Sequence, residues 1–161
     1  MQSFSLIGLA LGGLFLILPA STAPVPLQNA TATFSQTIAG DFSVANTLSN
    51  ATGSSWAIYG SGAGNTAAQT AVFETQTDLS FTGGVLLTFT LAHTHSSGLP
   101  TRPNIGRFRL SYTTDDRSLF ADGLKTGGDV TANWTVLDPA AFASDNGETA
   151  VEQGDMSLLV S

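Results

Sequence analysis

Between Gly83 and Asp116 the chain reads GGVLLTFTLAHTHSSGLPTRPNIGRFRLSYTTDD, and this stretch constrains the fold more than any other. Val85, Leu87, Phe89 and Leu91 fall on one face of an extended segment, with Leu86, Thr88 and Thr90 on the other. After a loop, Phe108, Leu110 and Tyr112 alternate with Arg107, Arg109, Ser111 and Thr113. A period of two in residues rich in Thr, Val, Phe and Tyr marks strands with one buried face. The first segment is apolar on much of both faces, which predicts a central strand under a second layer. The second turns its arginines to water or to a ligand. Such a pair cannot cover its inner face alone, so other strands must supply the opposing sheet.

The remaining strand candidates are Ala32–Ile38, Phe42–Leu48 (weakly alternating), Trp56–Tyr59, Ala71–Asp78 and Val130–Val136. Turn chemistry separates them: Asn50 to Ser55, the Gly/Ser stretch Gly60–Asn65, Ser80–Gly84, Asp115-Asp116, Asp122-Gly123 and Gly127-Gly128. The Gly/Ser stretch has no Lys-Ser/Thr ending and no helix pattern after it, so it reads as a connection rather than a phosphate cradle. Seven or eight short strands at regular spacing predict an all-β chain, an antiparallel β-sandwich, jelly roll or related barrel.

Charge narrows the function. The net charge is −7, against the basic surface that nucleic-acid binding requires. All five basic residues lie between Arg102 and Lys125, while residues 126–161 hold six acids and no base. Cysteine is absent, which removes disulfides, thiol chemistry and Cys-based metal or haem sites. At the amino end, the apolar run Phe4–Leu18 precedes Pro19-Ala20-Ser21-Thr22-Ala23, the layout of a signal peptide cleaved after Ala23 or Ala20. No Lys or Arg precedes the run, and a short retained anchor is the competing reading. Either predicts a location outside the cytoplasm, and cleavage leaves no membrane span in the mature protein. The expected division is 1–23 signal peptide, 24–137 β-rich domain and 138–161 acidic tail, the last read as the truncated opening of a further β-rich unit.

Ala45-Asn46, Asn50 to Trp56, Ala71-Val-Phe-Glu-Thr75 and Gly106-Arg-Phe-Arg-Leu-Ser-Tyr-Thr-Thr-Asp-Asp116 follow in an order that resembles discoidin-like (coagulation-factor type C) domains, which are jelly rolls of the galactose-binding-domain-like group. That resemblance spans about residues 40–116. The run Gly106 to Leu137, with Asp-Asp-Arg-Ser-Leu-Phe-Ala-Asp-Gly-Leu, is similar to a segment of large exported planctomycete proteins, and this likeness extends over roughly residues 26–161. The resemblance implies an exported, non-catalytic module that binds an extracellular glycan through loops at one end of the sandwich. Its alternatives are a structural or protein–protein module bound to a surface protein, and an accessory domain of a larger exported cytochrome-type protein. In that family the Trp loop often carries Asp-Gly, which can hold a structural calcium. Here Ser49-Asn50 stands in its place, so Asn50 retains an amide oxygen but the charge is lost, and the expectation is no cofactor, with calcium permitted at Asn50 but not implied.

The expected ligand-binding residues are Tyr59, His93, His95, Arg102, Asn104, Arg107 and Arg109. Guanidinium forks bind carboxylates and ring hydroxyls, and an exposed tyrosine beside them completes a sugar cleft. For Arg107 and Arg109 the weightier reading is a solvated face paired with Asp115, Asp116 or Asp78. His93 and His95, two apart, point the same way; a metal would need a third ligand that nothing marks, and both also continue the apolar face to its rim. Trp134 reads as core; Trp56 follows a loop and reads as more open, while the discoidin resemblance implies that it is packed. No G-x-S-x-G elbow occurs and the acids gather at turns and in the tail, which gives no motif for hydrolysis. The sequons at Asn29, Asn50 and Asn133 read as products of Thr-rich composition.

Overall fold

The computed structural model describes residues 4–5, 23–38, 40–49, 55–59, 67–82, 84–93 and 105–161. Among them there is no α-helix, only short strands and two 3₁₀ turns, and the strands pair in small antiparallel sheets. The chain is all-β. No helix among the described residues is long and apolar enough to cross a membrane.

The ribbon of β2 (Leu27–Ala32) and β3 (Ala71–Thr75) is the centre of the packing. Alternation gives it two inner faces. Ala30 and Ala32 of β2, with Ala71 and Phe73 of β3, meet Val44 and Trp56 on one side. Val72 meets Phe120, Ala121, Val130, Ala132 and Trp134 on the other. Both indoles are half-buried and satisfy their N–H groups: Trp56 Nε1 donates to the Phe34 carbonyl at 3.0 Å and Trp134 Nε1 to the Val130 carbonyl at 2.9 Å. Phe120 meets the Trp134 ring edge-on at 5.6 Å. The expectation of a packed Trp134 agrees with these contacts, and Val130–Val136 alternates in burial as its pattern predicts.

Because the core side chains are small, side-chain caps on turns carry much of the order. The Asp or Ser/Thr side chain accepts the backbone N–H two residues on at Asp41, Ser43, Thr113, Asp116, Asp122, Asp129, Ser144 and Asp155. These short polar side chains offer the backbone a local turn in place of a ladder. That explains why the acids sit at the turns.

Several expected strands move. The strand placed at 32–38 starts earlier, at Leu27, and past Ala32 only the bridge Gln36–Phe42 continues it. The candidate Phe42–Leu48 is a 3₁₀ turn, Val44–Leu48, capped by the Ser43 hydroxyl. Trp56–Tyr59 is not a strand and joins by single hydrogen bonds, Gln36 N–H to the Ala57 carbonyl and Ala57 N–H to the Phe42 carbonyl.

The two defining segments keep their alternation but not their places. From Leu87 to His93 odd residues are half-buried and even ones exposed. Yet Val85 and Leu86 are 50% and 57% exposed, so this is not the buried central strand. Only β4 (Thr88–Phe89) forms a ladder, with β1 (Phe4–Ser5). The arginine strand splits. Its first part, β5 (Arg107–Phe108), pairs with β9 (Leu158–Val160), while β6 (Ser111–Tyr112) pairs with β7 (Thr135–Val136). Changing partner at Arg109-Leu110 slips the phase by one residue, which buries part of Ser111 and leaves Tyr112 49% exposed, not inward with Phe108 and Leu110. Residues 138–161, the acidic tail, supply β8 (Ala150–Glu152) and β9, which lie in one sheet with β5 in the order β5-β9-β8.

Candidate functional site

The expected binding residues divide. His95, Arg102, Asn104 and Asn50 lie outside the described residues. Tyr59 is 55% exposed. His93 is half-buried on the inner face after β4, and burial lowers its pKa while the nearby Glu148 carboxylate opposes that shift.

Arg107 and Arg109 converge on one carboxylate from the tail. Arg107 Nη2 donates to both oxygens of Asp155 at 3.0 and 2.9 Å, and its Nε donates to the Ser157 hydroxyl at 2.7 Å. Arg109 stands 3.9 Å from the same carboxylate. They form a paired, solvated face as weighed above, but the partner is Asp155 rather than Asp115, Asp116 or Asp78. The crevice beside Arg109, lined by Phe108, Leu110, Leu137, Pro139, Met156 and Leu158, holds about 10 Å³, room for no more than one water. This corner fastens the tail.

The Ser157 hydroxyl and N–H, then Arg107, hold the Asp155 carboxyl down at about 2. A carboxyl depressed in the fold contributes stability above its unfolded pKa of 3.8 and loses it as pH falls through the folded value. The protection of the β8–β9 amides, relative to intrinsic exchange at each pH, is therefore expected to fall between about pH 4 and 2, and Asp155→Asn to remove that pH dependence.

A second concavity is built by residues distant in sequence. Around it stand Asn29 from β2, Glu74 from β3, Arg117, Ser118 and Leu119 from the 3₁₀ turn Arg117–Leu119, and Phe120, Ala121, Asp122 and Asp129 from the segments that follow. It is an open, mainly polar depression of about 490 Å³. The β2–β3 register shifts between Gln28 and Thr31, and this bulge puts Asn29 at φ +47°, a left-handed conformation that Asn tolerates better than most residues. The buried Thr31 hydroxyl locks the bulge to the far wall: it accepts from Gly123 N–H at 2.8 Å and donates to the Asn29 carbonyl at 3.0 Å.

Glu74 lies on the Val72 face of β3, and its side chain is only 8% exposed. A carboxylate so placed needs partners. Gln28 Nε2 donates to it at 3.0 Å, and Arg117 Nη1 lies 3.8 Å away. Arg117 also donates to the Thr75 carbonyl at 2.8 Å and closes an ion pair with Asp78. Across the depression, Asp122 accepts from the N–H groups of Leu124 and Asp129, and Asp129 accepts from Thr131 N–H. Cation, carboxylates, hydroxyl and amide thus border one space whose apolar surfaces come from Phe120, Ala121 and the 70%-exposed Leu119. Among the described residues no three His, Asp or Glu side chains are grouped to hold a metal ion.

The alternation of β3 signalled this site, since a glutamate at position 74 falls on the same face as Val72. The approach of Asn29 and Arg117 carried no such signal. Comparison of the chain with protein-family models, with curated proteins and with solved structures gives no match.

Proposed function

We propose that this chain is an exported, non-catalytic β-sandwich module of galactose-binding-domain-like type that binds carbohydrate, and that the glycan lies in the depression between the β2 bulge and the Arg117–Leu119 turn. The observation that carries this reading is the mixture of groups around one open concavity. Each sugar hydroxyl both donates and accepts; Arg117 and Asn29 offer donors, and Asp122, Asp129 and the Asn29 amide oxygen offer acceptors. Leu119 offers an apolar contact for the C–H face of a ring. An open site of this kind binds weakly, with Kd on the order of 0.1–1 mM per site.

The test is binding of soluble oligosaccharides to the mature protein, followed by calorimetry. Leu119→Ala, on an exposed side chain, is expected to weaken binding about threefold to tenfold without changing thermal stability. Unchanged affinity in that variant would place the glycan elsewhere.

A second reading, a module that binds a surface protein, draws on the apolar side chains on outer sheet faces. Val151 and Leu159, partners across β8 and β9, are 57% and 45% exposed. A glycan-blind protein whose Val151→Ser, Leu159→Ser variant loses self-association or partner capture would favour it.

A further inference from the structure

Resting on the carbohydrate reading, we infer that the depression selects glycans by charge, taking amino-bearing sugars before neutral ones and rejecting uronate- or sulfate-bearing ones. Glu74, Asp122 and Asp129 border the space against Arg117, three carboxylates to one guanidinium among the lining side chains. That cation has no spare charge for a ligand. It faces Glu74 at 3.8 Å and is ion-paired with Asp78, so two carboxylates share one guanidinium.

The same is true across the described surface. Arg107, Arg109, Arg117 and Lys125, the Arg and Lys side chains among the described residues, each stand within 4.0 Å of a carboxylate: Asp155 for the first two, Glu74 and Asp78 for the third, Asp41 at 3.5 Å for Lys125. An anionic sugar entering the depression would meet the Asp122 and Asp129 carboxylates, desolvate its own charge and find, among the described residues, no guanidinium without a carboxylate already beside it. Asp122 and Asp129 are exposed and, among the described residues, have no ion-pair partner within 4.0 Å, so a protonated sugar amine gains where a carboxylate loses. The chain's net charge of −7 adds the same sign at longer range.

The experiment compares three oligosaccharides of equal length by calorimetry at low salt and about pH 5.5, where carboxylates are charged: a glucosamine oligomer, its N-acetylated counterpart and an oligogalacturonate. The glucosamine oligomer is expected to bind about threefold to tenfold more tightly than the acetylated one, and the galacturonate more weakly than either. In roughly 0.5 M salt the three should converge, since screening then acts over a few ångströms. Asp129→Asn keeps an oxygen to accept the Thr131 N–H and should bring the glucosamine-to-acetylated ratio toward one; Asp122→Asn is the second variant with the same expected direction. Neutral binding with no ranking, or with galacturonate tightest, overturns the charge selection and leaves the carbohydrate reading standing. Failure of all three to bind the folded protein overturns both.

Discussion

Replacing Trp134 by alanine is expected to cost about 3 kcal/mol, at the lower end for buried aromatics because its ring is partly exposed. The ring is the largest side chain packed against Val72, Phe120 and Ala121, and it meets Phe120 edge-on. Truncation removes that apolar area and leaves the Val130 carbonyl without its indole donor. For a domain of this size such a loss lowers Tm by roughly 10 °C. Trp134→Phe, which retains a ring but not the N–H, should cost about 1 kcal/mol. Thermal unfolding followed by near-UV dichroism checks both. A fall of less than about 2 °C for Trp134→Ala would mean that the second face of the β2–β3 ribbon is not packed as described.

Gly128→Ala is expected to destabilise by about 2–3 kcal/mol, for lack of space. A Cβ there would stand 2.4 Å from Thr31 Cγ2 and 2.8 Å from the Leu124 carbonyl oxygen. Gly128 also donates its N–H to the Ala32 carbonyl at 3.0 Å, which closes the 124–128 segment over the edge of β2. Thr31 cannot yield, because its hydroxyl ties the Asn29 bulge to Gly123. The neighbouring Gly127 gives the contrast. It has open space around its Cβ position but φ +68°, so Gly127→Ala should cost about 1 kcal/mol through backbone strain. Urea midpoints of the two variants separate steric from conformational cost. Equal midpoints would contradict the close approach at Gly128.

How much of this was legible in the chain depends on the distance over which each feature is decided. Alternation is local, so the inward faces of residues 87–93 and 130–136, and the packing of Trp134, could be read directly; that of Trp56, which follows a loop, could not. Partner choice is not local. Nothing in RFRLSYTT says that the strand changes sheets at Arg109-Leu110, and the consequent slip turns Tyr112 outward. Phe42–Leu48 looked extended because it alternates weakly, but the Ser43 hydroxyl captures the Ala45 N–H and winds the segment into a 3₁₀ turn. The arginine pair forms a salt-bridged face, and its partner Asp155 lies 48 residues from Arg107, beyond any pattern of spacing. The depression unites positions from 29 to 129 through a bulge at Asn29 that only the pairing of β2 with β3 creates.

The most direct test of the account is where a glycan acts on the protein. In a titration of isotope-labelled mature protein with a glucosamine oligomer, the account predicts that amide shifts concentrate at Asn29, Glu74, Ser118, Leu119, Ala121 and Asp129, with Arg107, Arg109 and β8–β9 unmoved. Shifts confined to the Arg107–Asp155 corner, or none at saturating oligosaccharide, would contradict it.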